Sequence, residues 1–206
     1  MFMSLSVSAH LSEKDEILKP IIQQVSLPEL VSTHQVFHDL MSCIIEQQIH
    51  YRSTKKTFAK LLQKAEIDLL TTDNFSVLEE KGLQGVKLSE RKYETMVQVL
   101  EFFQQNTPNW QSMTDDEVRK TLGSIKGVGK WTIDMILLYT LERKDVFPVD
   151  DYHLKQLMVK LYKLDPKTKL AANMKAVAAH WEPHRSYGVK YLLAFKEYEK
   201  TQAKLK

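Results

Sequence analysis

The sequence predicts an all-α fold. Glycine and proline number only six each, so the chain has few breakpoints. No stretch sustains the two-residue alternation of β-branched side chains that a half-buried strand needs. Apolar residues recur instead at helical spacing, behind recognisable caps.

Taken in order, helices are predicted near residues 12–25, 36–48, 52–65 and 75–81. Ser89 opens the next, which ends near Gln105, because Tyr93, Met96, Val97, Leu100 and Phe103 fall on one stripe. Thr114 followed by Asp115, Asp116 and Glu117 has capping-box spacing, with acids in the first turn where the helix dipole favours them. Gly123 lies near the end of that helix, and further helices follow near 130–142 and 151–162. Asp165 with Pro166 reads as an N-cap and first-position proline for a run to about Trp181, and a last helix covers 184–200. The total is about ten short helices, with no fixed-period repeat and no low-complexity linker.

A chain of 206 residues holds one compact unit, or two small lobes sharing a core. Charged residues at 27% and apolar residues at 43% are the balance of a globular protein. No apolar run approaches the roughly 18 residues of a membrane span, and the start of the chain turns acidic too early for a secretory leader. We therefore expect a cytoplasmic, bacterial protein with no membrane partner. Cys43 is the only cysteine, which excludes an internal disulfide and an iron–sulfur cluster. A net charge of +3 tolerates a polyanionic partner without requiring one.

The stretch from Leu122 to Tyr139 is the most informative, reading as helix, Gly127-Val128-Gly129 turn, helix. Two glycines around one apolar residue permit positive φ and leave the turn without side chains that hold a ligand away. Bare amides then face outward at the start of a helix, an arrangement suited to a phosphate, while Val128 anchors the turn from inside. An ordinary turn between two helices accounts for the same pattern. A nucleotide phosphate loop does not, because it needs glycine at position 124 and a hydroxyl at 131, where the chain has Ser124 and Trp131. About twenty residues on, the sequence Val146-Phe-Pro-Val-Asp150-Asp151-Tyr-His-Leu-Lys155 delivers two adjacent carboxylates to a helix start. Capping and dipole stabilisation are a sufficient reason for acids there.

The combination is more specific than its parts. The hairpin followed by these residues resembles the helix-hairpin-helix DNA glycosylase superfamily, and within it the 3-methyladenine DNA glycosylase II branch. Ile44-Ile-Glu-Gln-Gln-Ile49 upstream and Trp181-Glu-Pro-His-Arg-Ser-Tyr187 downstream extend the resemblance over roughly residues 36–198. It implies one glycosylase unit over 1–206, built as two helical lobes with a DNA-binding cleft between them. A central lobe would cover about 36–140, carrying the hairpin at 122–139, and residues 1–35 with 141–206 would form the other.

The resemblance also implies site residues. Asp151 is the expected catalytic carboxylate, with Asp150 capping or orienting. Gly127, Val128, Gly129, Lys130 and Thr132 are the expected DNA contacts, assisted by Lys126, Arg52 and Lys55. Gln48 aligns with the residue that fills the gap left by an extruded nucleotide, although it also reads as a polar helix end. Trp131, Met135, Tyr187 and Leu193 are the expected base pocket. Met135 and Leu193 stand where the branch often carries tyrosine and tryptophan, so that pocket is less aromatic than usual, and Trp131 also reads as core. Bifunctional relatives such as endonuclease III place a lysine where this chain has Trp131, which implies hydrolysis without strand cleavage. The spacings His34/His38 and His180/His184 match metal ligands but lack further donors, so no metal and no cofactor are expected.

The implied activity is excision of alkylated bases, of the 3-methyladenine and 7-methylguanine type, from double-stranded DNA by a monomer. A non-catalytic helix-hairpin-helix DNA-binding protein is the alternative, since it needs the hairpin and not Asp151. A glycosylase for another damaged or mismatched base is the second.

Overall fold

The computed structural model describes residues 2–27, 32–46 and 55–204. Those residues form eleven α-helices and no strand, as the periodicity predicts. The chain divides into two compact units, one made of Met1–Val31 with Arg143–Lys206 and the other of Ser32–Glu142.

Among the described residues, the second unit holds six helices: α3 (Val36–Ile45), α4 (Lys55–Ala65), α5 (Phe75–Val77), α6 (Glu90–Gln105), α7 (Asp115–Gly123) and α8 (Lys130–Met135). Single π turns, Leu78–Gly82 and Ile136–Thr140, extend α5 and α8. Every residue of α3 is buried, so it is the central helix, packed against α4, α6 and α8. A helix buried on all sides must satisfy its polar groups internally. Accordingly, His38 Nδ1 accepts from the Leu70 amide at 3.0 Å, and Asp39 Oδ2 accepts from the hydroxyls of Thr33 at 2.8 Å and Thr140 at 2.7 Å. His38 is thus a core histidine, and His34 lies 4.0 Å from Glu142. The expected caps form: Ser89 accepts from Lys92 N, and Thr114 and Glu117 make a reciprocal capping box.

The first unit holds α1 (Phe2–Lys14), α2 (Leu18–Gln24), α9 (Tyr152–Tyr162), α10 (Leu170–Ala179) and α11 (Arg185–Lys204). Here α11 is the spine, packed on α2, α9 and α10. Trp181 is fully buried, and the ring comes so near α11 that a Cβ on Gly188 would lie 2.6 Å from it. Its indole N–H donates to Asp15 Oδ2 at 2.7 Å, beside the Tyr162 hydroxyl at 2.8 Å.

Two predicted helices are corrected by side-chain competition for the backbone. Helix 12–25 is broken at Asp15, whose Oδ1 takes the Ile17 and Leu18 amides at 2.9 Å each where α2 begins. Asp165 does not cap a helix. It accepts from Lys167 N and Thr168 Oγ1 in a local turn, and α10 starts only at Leu170, after Lys169 has turned left-handed at φ 47°.

Candidate functional site

Val128 and Ile125 are buried at 8% and 5% exposure and plug the turn between α7 and α8 into the second unit. Gly127 adopts φ +93°, a left-handed value, and a Cβ there would overlap Thr95 of α6. Gly129 has open space around the same position, and Gly127, Gly129, Lys126 and Lys130 are all exposed. The turn therefore presents bare backbone flanked by two lysines. Thr132, expected beside them, is only 3% exposed, so its hydroxyl is withdrawn from the surface. A cavity of about 700 Å³ adjoins Gly127, lined by Arg91, Glu94, Thr95 and Lys126 among others. Gln48 and Arg52 lie outside the described residues. The chain on either side of them is tied: Glu46 Oε1 accepts from Phe58 N at 2.9 Å, and Lys92 Nζ donates to Ile45 O at 2.8 Å.

In the first unit, the segment from Arg143 to Asp151 is pinned by the residues that open α11. Arg185 grips Asp145 with two bonds, Nε to Oδ1 at 2.8 Å and Nη2 to Oδ2 at 2.7 Å. Ser186 Oγ donates to Arg143 O at 2.6 Å and accepts from Val146 N at 2.8 Å. The downstream Trp-Glu-Pro-His-Arg-Ser-Tyr stretch thus holds the aspartate segment in place. Asp151 stands at the end of that segment as N-cap of α9, with Oδ1 accepting from the Leu154 amide at 2.7 Å. It is 7% exposed, whereas Asp150 is exposed and sits 3.5 Å from Lys155 Nζ. The two neighbours therefore differ in kind: one carboxylate is sequestered and fixed, the other solvated.

The residues expected around a base fall in two sets. Trp131 is half-buried and Met135 1% exposed, both on α8. Tyr187 is half-buried and Leu193 5% exposed, both on α11. Lys190 Nζ lies 5.7 Å from the centre of the Tyr187 ring. His184 packs edge-on against His10, with centroids 5.3 Å apart, and burial followed by His10 lowers its pKa. No cluster of metal ligands occurs among the described residues.

Two residues without a sequence-based role stand near Asp151. His153 Nδ1 is in direct contact with Lys196 Nζ of α11, and both feel the Asp151 charge. The histidine lies inside the Val146–Lys155 stretch, but its partner is 43 residues away. No local pattern pairs them.

Comparison with known proteins places these features in a family. The model for the HhH-GPD superfamily base excision DNA repair protein matches residues 41–183, which contain both the hairpin and Asp151. YfjP of Bacillus subtilis, which bears a DNA-3-methyladenine glycosylase name, is 26% identical over 85% of this chain, and the match spans 64% of YfjP. Among solved structures, 3-methyladenine DNA glycosylase Mag1 of Schizosaccharomyces pombe, in complex with abasic DNA, superposes with a TM-score of 0.76 at 22% identity, covering 91% of this chain and 95% of that one. An 8-oxoguanine glycosylase/lyase of Clostridium acetobutylicum, bound to double-stranded DNA, superposes at 0.70 with 18% identity, covering 95% and 70%.

Proposed function

Because the chain belongs to the HhH-GPD superfamily of base excision DNA repair proteins, we propose that it is a monofunctional DNA glycosylase that hydrolyses the N-glycosidic bond of alkylated bases. The observation that carries this reading is Asp151, a buried carboxylate held at a helix start by its own cap and by a clamped approach segment. A DNA-binding module has no need of such a group. The names of YfjP and Mag1 favour 3-methyladenine as a base released, and 7-methylguanine shares its ring-nitrogen alkylation.

The chemistry suits one carboxylate. A base inside a duplex must be extruded before it can be attacked, and this costs a few kcal/mol, least for damaged bases. Alkylation at a ring nitrogen makes the base cationic and a good leaving group. As its bond to C1′ breaks, positive charge develops on the sugar, and the Asp151 carboxylate stabilises it. Water then adds to C1′, losing a proton, and leaves an abasic site and the free base. The exposed Gly127–Lys130 turn takes phosphates of the same DNA. Trp131 supplies an aromatic face to a cationic base. One chain carries every group this scheme uses, so the active form is a monomer acting at the bacterial nucleoid.

The likeness to the Clostridium acetobutylicum enzyme supports a second reading, oxidised-base excision with strand cleavage. Against it stands Trp131, where bifunctional relatives carry lysine. The deciding experiment is release of 3-methyladenine and 7-methylguanine from methylated duplex DNA, native chain against Asp151→Asn, with abasic sites and strand breaks followed separately. Base release without breaks, lost in the variant while binding persists, supports the proposal. Strand breaks on an 8-oxoguanine duplex, or binding with no release of any base, overturns it.

A further inference from the structure

In a chain of a DNA repair family, an arginine reads first as a phosphate ligand. Arg185 is committed elsewhere. Its Nε and Nη2 donate to the two oxygens of Asp145 at 2.8 and 2.7 Å, and Nη1 meets Glu182 Oε1 at 2.9 Å, so each guanidinium nitrogen already faces a carboxylate. The Arg185 amide donates to Asp145 Oδ1 as well, at 3.1 Å. Ser186, 1% exposed, ties the neighbouring residues: its amide donates to Lys144 O at 3.1 Å, and its hydroxyl bridges Arg143 O and Val146 N.

These bonds fix the start of a segment that ends in Asp151. Between the two, Val149 N donates to Phe147 O and Asp151 N to Pro148 O, both at 2.9 Å, while Val146 and Val149 are 1% and 4% exposed. Phe147 packs edge-on against Trp181, with ring centres 6.0 Å apart. From Asp145 to Asp151 the chain is therefore folded into tight turns on a packed core, and a shift at Asp145 is passed on to Asp151 rather than absorbed. The Arg185 and Asp145 side chains are 31% and 32% exposed, so water solvates either one when its partner is removed, and the pair contributes geometry more than stability. On the glycosylase reading, on which this inference rests, the Asp151 carboxylate acts at C1′, where a misplacement of about 1 Å costs on the order of a hundredfold in rate. We propose that Arg185 is a positioning residue for Asp151: through Asp145 it sets where the carboxylate stands, without touching DNA.

The test separates release from binding. Single-turnover release of 7-methylguanine from methylated duplex DNA is followed with enzyme in excess, and binding to a duplex with a tetrahydrofuran abasic analogue is followed by fluorescence anisotropy over a range of salt. Arg185→Met is expected to slow release by about tenfold to a hundredfold, with abasic affinity and the slope of log K against log salt unchanged. Arg185→Lys keeps the charge but offers a point in place of the fork, and is expected to recover only part of the rate. Asp145→Ala should match Arg185→Met, and the double variant should be no slower than either, because both act through one contact. Should Arg185→Met not fold, Arg185→Lys and Asp145→Ala carry the same comparison. Tyr162→Phe weakens the same unit at the other end of α9 from Asp151 and shows what lost stability alone does to release; the Arg185 losses must exceed it. Native release in a folded Arg185→Met, losses that multiply in the double variant, or a salt slope lowered by about 1, the mark of a lost phosphate contact, overturns the positioning role alone. A native chain that releases no base from damaged duplex overturns the glycosylase reading and the positioning role with it.

Discussion

Arg119 Nη1 meets Asp134 Oδ1 at 2.5 Å, and this bond joins α7 to α8 across the glycine turn. The Asp134 side chain is 1% exposed and that of Arg119 32%, so the pair holds the hairpin together from its inner side. Removing one partner strands the other. Arg119→Met leaves Asp134 buried without its cation and is expected to cost about 3 kcal/mol in urea unfolding. The double variant Arg119→Met with Asp134→Leu should recover much of that loss. Equal destabilisation in the single and double variants would show that the pair does not couple the two helices.

Asp150 and Asp151 are expected to separate cleanly under substitution. Asp150 is exposed, so Asp150→Asn should leave base release within a few-fold of the native rate. Asp151→Asn retains a carbonyl oxygen for the Leu154 amide and should unfold at nearly the native temperature while losing release. Asp151→Ala also loses the cap, worth about 1 kcal/mol. Activity surviving in Asp151→Asn and failing in Asp150→Asn would transpose the two roles.

The two glycines of the turn predict different stability effects. Gly127→Ala forces a side chain into φ +93° and into Thr95, so it should unfold several degrees below the native chain. Gly129→Ala meets nothing within 4 Å and should keep its melting temperature. If bare backbone at the turn contacts phosphate, Gly129→Ala nonetheless weakens binding to duplex DNA. Native affinity in that variant would remove Gly129 from the interface.

His153 should titrate below the ordinary imidazole range when followed by NMR, because burial and Lys196 both favour its neutral form. Lys196→Met is expected to move the midpoint upward. A midpoint insensitive to that substitution would contradict the electrostatic account of this contact.

Tyr162 links stability to alkaline pH. Burial, with the charge and hydrogen bond of Asp15, pushes its phenol well above the ordinary value. The unfolded chain ionises first, so stability is complete below about pH 10 and declines above it. Tyr162→Phe is expected to lose about 1 kcal/mol at neutral pH and to show a shallower alkaline decline. The decline should persist in part, because Tyr191 and Tyr93 are raised as well, Tyr191 by burial and Tyr93 by its bond to Glu79.

Local chemistry made much of the fold legible. Ser89 and Thr114 cap the helices their spacing implies, since a cap is a contact between residues three apart. Asp15 and Asp165 defeated the same reasoning. Each commits its carboxylate to nearby amide or hydroxyl donors in a way that ends or delays a helix, and Asp15 is held to that choice by Trp181 and Tyr162, more than a hundred residues distant.

The amino-acid sequence by itself determined the helical class, the glycine turn with its flanking lysines, and the paired aspartates that begin α9, because each is written in a run of neighbouring residues. Tertiary structure alone decided which aspartate is sequestered and which solvated, that Thr132 faces inward, that Arg185 and Ser186 hold the aspartate segment, and that Lys196 reaches His153. Burial and contact between distant helices depend on how whole faces pack, and no short stretch of sequence records that.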